Sequence, residues 1–382
     1  MIFSTNEVCL AYRSFIDTCR MPDGRFCLTP SAEPSPYALC FAIFGYHLLR
    51  ESTIIAAHRE SWDASLRDEL ARLRDSRSRV VDISSDKPYL QLLTFTLSAL
   101  TILGTLDHDP LADTILPLLP ADIAHALRSA HALDGAARSG NQAMFLGILL
   151  LHARDHLGVN TQAEIDQWVA LHLDAMNRFG FWGGTSTMSH LQFQNGYHQY
   201  ELFEYLHADG VPWDRAADAV ASLADSEGHF APYPGGGGCY DYDAAYIITA
   251  STEAISRHAS LLVRAATTIL SEQNKDGGFC ESLRIRPRSM ENLSRSAGHV
   301  FAGRGLARIE RLRYALTLLR PTHDRIHTHW GRYSRRWDES DLWDSWFRMM
   351  TLARIEVALD PTALERWGFI DYPGIGFHRA LR

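Results

Sequence analysis

Four copies of one short pattern constrain this chain more than any other feature: a Gly followed two residues later by an aromatic, then by a helix-like run. They read Asp23-Gly24-Arg25-Phe26, Phe179-Gly180-Phe181-Trp182, Glu227-Gly228-His229-Phe230 and Asp276-Gly277-Gly278-Phe279. The last three glycines are 48 (228 minus 180) and 49 (277 minus 228) residues apart. A fixed period of this length marks a supersecondary unit that cannot bury its apolar face alone and must pack on its neighbours. Gly allows the tight reversal with φ above zero, and the aromatic fills the gap between neighbouring units.

Between the turns, amphipathic and nearly all-apolar helical runs alternate. Ser4 to Cys19 precedes Pro36 to Leu49, Trp62 to Arg74 precedes Pro88 to Leu106, and Ala121 to Leu133 precedes Asn141 to His152. Thr161 to Arg178 then precedes Met188 to Leu206, Trp213 to Asp225 precedes Asp241 to Ile255, and Ser260 to Gln273 precedes Met290 to Leu319, with a closing helix from Asp341 to Leu359. A helix without a polar face must be buried on most sides. With Asp134-Gly135 and the loop from Arg77 to Lys87 near the missing copies, the period predicts an all-α fold. It is a single (α/α)6 toroid, two concentric helix rings around a central cavity, with an open superhelix as the structural competitor. One domain is expected over residues 1–382, with residues 338–382 closing the ring.

Composition narrows the partners. The 382 residues carry a formal charge of −8, which speaks against nucleic acid, whose binders usually show a basic stripe. The Arg-dense stretch Arg332 to Arg336 lies beside Asp338, Glu339 and Asp341 and reads as a solvated, paired surface. No stretch reaches the roughly 18 apolar residues of a membrane span, and the first residues lack a signal-peptide pattern; a cytoplasmic protein is expected. Six scattered cysteines read as free thiols. His323, His327 and His329 follow Pro321 in a polar connection and read as surface loop.

Gln273-Asn274-Lys275-Asp276-Gly277-Gly278-Phe279 resembles the Q-x-x-D-G-G-F/W repeat of the terpene cyclase and protein prenyltransferase α/α toroids, and Cys19 to Phe26 resembles a weaker copy. Similar turns occur in glycan-active helical toroids. The resemblance implies that residues following each turn open on the cavity. Asp241-Tyr242-Asp243-Ala244 is similar to the D-x-D-D motif of class II cyclases without its last acid, which puts Asp243 in the proton-donating place and Asp241 in support. Gly238-Cys239-Tyr240 resembles the Cys part of the prenyltransferase zinc site. The family's Asp would fall on Gly237, and no His stands near Asn292 to Arg295, so no metal is expected. No cofactor motif appears.

Four consecutive glycines, Gly235 to Gly238, read either as a flexible loop or as backbone approaching a ligand. Asp241 and Asp243 stand at a helix start, where carboxylates cap amides. In an apolar cavity such a pair would instead hold one proton for donation. Gln194, His198 and Glu201 share a helix face, with Asn195 and Tyr197 beside them. His198 reads as a general base and the others as ligands to a polar substrate, or all as a satisfied core network. Trp182, Tyr240, Tyr242, Tyr246 and Trp343 are candidate cavity aromatics, and Asp344 is a cavity acid or a cap. Three functions stay open: acid-initiated cyclisation or isomerisation of a small, hydrophobic isoprenoid-like substrate; a glycan lyase or hydrolase; and a toroid that only binds a ligand. Oligomeric state is not readable from the sequence.

Overall fold

The four Gly-x-aromatic segments fold into one turn, drawn four times. Gly24, Gly180, Gly228 and Gly277 hold φ of 88°, 83°, 93° and 90°, left-handed backbone that Gly adopts without strain. In each, the glycine N–H donates to the carbonyl three residues back, Met21, Asn177, Asp225 or Asn274, at 2.9–3.2 Å. The N–H of that same residue donates to the carbonyl after the glycine, Arg25, Phe181, His229 or Gly278, at 2.7–2.9 Å. The aromatics Phe26, Trp182, Phe230 and Phe279 are all buried. Gln273 closes the fourth copy, donating to Gly277 O (2.8 Å) and to Val8 O (2.9 Å).

The computed structural model describes residues 5–75, 87–136, 139–184, 186–282, 284, 289–318, 325–326, 334–335 and 339–378. The loop from Arg77 to Lys87, the Arg332 to Arg336 stretch, His323, His327, His329, Trp337 and Asp338 fall wholly or partly outside them.

The helices are α1 Asn6–Thr18, α2 Pro36–Leu48, α3 Ser52–Asp75, α4 Lys87–Leu103, α5 Ala112–Ile115, α6 Ile123–Ser129, α7 Ser139–Leu157 and α8 Gln162–Asp174. They continue with α9 His190–Leu206, α10 Trp213–Ala221, α11 Gly238–Thr249, α12 Thr252–Ser271, α13 Met290–Ala302, α14 Gly305–Leu318 and α15 Leu342–Leu359. Among the described residues the only strands are two-residue pieces, Arg325–Ile326 against Ser334–Arg335. The chain is all-α, as the alternation predicts. In chain order the amphipathic and apolar helices follow one another as α1/α2, α3/α4, α6/α7, α8/α9, α10/α11 and α12/α15, with α4, α7, α11 and α15 buried along most of their length. None of the described helices is long and apolar enough to cross a membrane, and all six cysteines are free thiols.

The helix expected over Met290 to Leu319 is instead two helices, broken where Gly303 and Gly305 bracket Arg304. Gly303 is extended (φ −69°, ψ 153°) and Gly305 has a positive φ of 51°, a poor sequence for continuing a helix. The buried helix that the fourth turn feeds is α15. Phe279 and Asp341 form a backbone bridge, and Phe279 N–H donates to Ser345 Oγ at 2.8 Å. The α13–α14 hairpin belongs to the excursion between them.

Two compact units divide the chain: Met1–Gly45 with Thr185–Phe193 and Pro212–Trp367, and Tyr46–Gly184 with Gln194–Val211 and Gly368–Arg382. In the first, α11 and α15 pack along each other and on α12, with α10 against α11. In the second, α4 packs on α3 and α7, and α8 on α6 and α7.

Candidate functional site

The first unit gathers its buried charge where the third turn meets α11. Asp241, in the first turn of α11, accepts from Phe230 N–H on Oδ1 (2.8 Å). Its Oδ2 accepts from His229 Nδ1 (2.9 Å) and from the Arg348 guanidinium of α15. The other His229 nitrogen, Nε2, donates to Glu272 Oε1 (3.1 Å). Glu272 also pairs with Arg284 Nη2 (3.0 Å), and Arg284 pairs with Glu227. Arg348 Nη2 donates to Gly235 O (2.8 Å) and Glu281 O (3.1 Å).

Burial alone would depress the His229 pKa, but the Asp241 and Glu272 carboxylates outweigh it and push it up to about 10. An imidazolium between two carboxylates donates from both nitrogens. Three anions (Asp241, Glu272, Glu227) then face three cations (His229, Arg348, Arg284), and the network is neutral.

The glycine run fits this network closely. Gly235 and Gly236 have φ of 82° and 65°. A Cβ on Gly235 would meet Ser282 and Arg284, one on Gly236 would meet Asp241 and His229, and one on Gly237 would meet the Tyr233 hydroxyl. One on Gly238 would come within 3.0 Å of Asp344 Cα. The run brings backbone against the protein's own side chains, with Gly235 and Gly236 also supplying left-handed backbone.

Two positions on, a helix has turned by about 200°, so Asp243 leaves the network that Asp241 joins. The buried Asp243 carboxylate is one of the charges raising the Tyr240 pKa, after burial and Cys239. Tyr240 meets Tyr233 edge-on (6.3 Å between ring centroids), and Tyr233 stacks on Tyr314 (4.3 Å). The Tyr233 hydroxyl donates to Glu281. Burial chiefly raises the Tyr314 pKa, with Tyr240, Cys239 and Asp344 contributing. Three buried carboxylates, Asp243, Glu281 and Asp344, thus join three tyrosines, of which Tyr240 and Tyr314 are half-buried. Asp344 is not the cap of α15; Asp341 is, accepting from Asp344 N–H at 2.9 Å.

The candidate aromatics of this unit interlock. Tyr242 lies against Phe347 (5.3 Å), Tyr246 (6.0 Å) and Trp346 (6.4 Å), and Arg354 sits over the Tyr246 ring at 3.8 Å. Trp343 lies between Phe41 (5.2 Å) and Phe347 (4.6 Å). Tyr242 and Tyr246 are fully buried core, and Trp343 is half-buried.

The other candidates fall in the second unit. Trp182 is buried there, donating to His172 O at 2.9 Å with its ring against His172 (5.5 Å). The backbone of Asn195 crosses Gly140 so closely that a Cβ on that glycine would strike it. Glu201 accepts from Gly376 N–H (3.2 Å), Tyr197 is buried, and Gln194 is half-buried. Burial, with Lys87 adding to it, depresses the His198 pKa to about 3. His198 is a neutral imidazole whose Nδ1 meets no hydrogen-bond partner among the described residues.

His229, Glu272, Glu281, Arg284, Tyr314 and Arg348 escape sequence reasoning. His229 had a signal, its place inside a repeat turn. Arg348 had another, a cation inside a helix otherwise apolar enough to be buried.

No family model matches this chain, and no curated protein matches it. Among solved structures, a protein from Salmonella enterica serovar Paratyphi A, described as a possible member of the GH105 family, is similar. It shares 12% identity over 94% of this chain and 95% of that one, with a TM-score of 0.43.

Proposed function

We propose that this chain is a glycan-active hydrolase or lyase whose chemistry is carried by Asp243, Asp344 and Tyr240. One observation supports the reading: three buried carboxylates and three tyrosines grouped around the start of α11. Hydrolysis of a glycosidic bond asks for two carboxyl groups with different duties, one protonating the leaving oxygen and one assisting water or attacking. Asp243 serves as the acid and Asp344 as its partner. Tyr240, whose pKa burial raises, stays a neutral hydroxyl that orients substrate.

Cyclisation of an isoprenoid would ask Asp241 to tune Asp243. The oxygens of Asp241 are engaged by Phe230, His229 and Arg348, and Tyr242 and Tyr246 pack as core rather than as lining. These facts favour the glycan.

The test is a panel of 4-nitrophenyl glycosides and plant and bacterial polysaccharides, followed by released nitrophenol, reducing ends and the ultraviolet absorbance of unsaturated products. Asp243→Asn and Asp344→Asn should each lower kcat/KM by roughly 10²–10⁴, with the melting temperature within a few degrees of wild type. Full activity in Asp243→Asn, or turnover of isoprenoid diphosphates but of no glycan, would sink the reading.

A further inference from the structure

The nine most exposed large apolar side chains among the described residues are unevenly spread. Six of them, Met290, Leu293, Phe301, Ile309, Leu312 and Leu316, belong to the α13–α14 hairpin, and only Leu10, Leu116 and Leu191 lie elsewhere. Met290 is 81% and Phe301 74% exposed, and six such residues on one hairpin are a cluster rather than the scattered single apolar residues of an ordinary surface.

Helical phase separates these residues from the hairpin's inner face. At about 100° per residue, Ala307, Arg311 and Tyr314 of α14 share one face. That face is anchored: Arg311 donates to Leu223 O (2.8 Å) and His299 O (3.1 Å), and Tyr314 stacks on Tyr233. Ile309, Leu312 and Leu316 stand on the opposite face, with Arg308 on one flank of that stripe and Arg313 on the other. In α13, Met290, Leu293, Ala297 and Phe301 form a second stripe, opposite the buried His299.

Charge follows the same division. Residues 290–317 hold five arginines (295, 304, 308, 311, 313) and two glutamates (291, 310), a sum of +3 in a chain whose total is −8. Glu310 is turned inward, accepting from His190 and Leu191 N–H, and His299 is neutral because burial, then Arg311, depresses its pKa to about 3.

We propose that the α13–α14 hairpin is a docking element that seats this protein on an anionic lipid surface. An apolar stripe flanked on both sides by arginines is the pattern of an interfacial helix: the stripe enters the acyl boundary with the stem of Arg308 along it, its head held by Gly303 O (2.7 Å) and Phe301 O (3.2 Å), while the heads of Arg304 and Arg313 reach the phosphates. Protruding side chains suit lipid, which accommodates any shape, better than a protein groove, which must be carved to match. A second copy meeting this hairpin face to face would oppose +3 with +3, which disfavours a symmetric dimer through it.

The experiment sediments the full chain with phosphatidylcholine vesicles, with and without phosphatidylglycerol, at low and high salt. Binding is expected only with phosphatidylglycerol and is expected to fall as salt rises. Phe301→Ser with Ile309→Ser should abolish it, and Arg304→Gln with Arg313→Gln should weaken it roughly tenfold or more. These are exposed positions, and unchanged melting temperatures verify folding. No binding to either vesicle, or binding indifferent to both double variants, overturns the proposal. So does a dimer in sedimentation velocity that Phe301→Ser dissociates, since the stripe would then belong to a second copy.

Discussion

Gly228 and Gly104 both hold left-handed backbone, at φ of 93° and 68°, yet they face different surroundings. A Cβ on Gly228 would stand 2.8 Å from Ala265 N, whereas one on Gly104 would meet nothing within 4 Å. Gly104→Ala should therefore cost about 1 kcal/mol of backbone strain alone. Gly228→Ala should cost several, because helix backbone cannot yield as a side chain does; urea unfolding of the two variants measures the difference. Arg348 offers a second residue-scale test. Replacing it with Met leaves Asp241 and Glu272 short of a cation in a buried place, a loss of roughly 3–5 kcal/mol measurable in the same titration. The sequence marks Asp241 and Asp243 as a pair because they are near in number. A helix separates them by phase, and it is Asp241 that needs an arginine a hundred residues away. Partners at that sequence distance leave no mark in local spacing, so no motif joins Arg348 or Glu272 to Asp241, whereas the repeated glycines announce the turns.

At the scale of the helix, burial is what the sequence records best. The runs from Pro36, Pro88 and Asn141 have almost no polar face, and each is a helix buried along most of its length. The run from Met290 misleads because apolar residues on a helix say only that a face seeks cover, not that the protein itself provides it. Close approach of helices has its own signature. In the second unit α7 meets α9 through Gly140, where a Cβ would strike Asn195 backbone, and through Gly147, where it would strike the movable Leu202 Cδ1. Both substitutions to Ala add one methyl to a helix interior, where Ala is intrinsically the better residue. Gly140→Ala is expected to lower the thermal midpoint by many degrees. Gly147→Ala should lower it far less, because Leu202 can change rotamer.

For the molecule as a whole, histidine sets both ends of its pH range. Burial, the foremost cause for each, depresses the pKa of His152 and His172 to about 4 and of His190, His198 and His299 to about 3. Unfolded, these five take up protons near the ordinary imidazole value of 6.5, so stability falls as pH drops from about 6.5 towards 3. His229 runs the other way. Its folded pKa of about 10 exceeds the unfolded value, so its contribution is complete below about 6.5 and is lost as pH rises through 10. Urea midpoints across pH should form a dome, and His229→Gln should flatten the alkaline side while leaving the acid side in place; an unaltered alkaline side would refute the ion network.

The backbone bridge between Phe279 and Asp341 also says something about how this chain tolerates change. The polypeptide departs and comes back through neighbouring hydrogen-bonded residues, so the ends of the excursion are fixed side by side whatever its length, while Glu281, Arg284, Arg311 and Tyr314 tie its described parts to the rest of the first unit. Such a junction is a natural splice point: a foreign module with adjacent termini, grafted there, would place no geometric demand on the helices that follow.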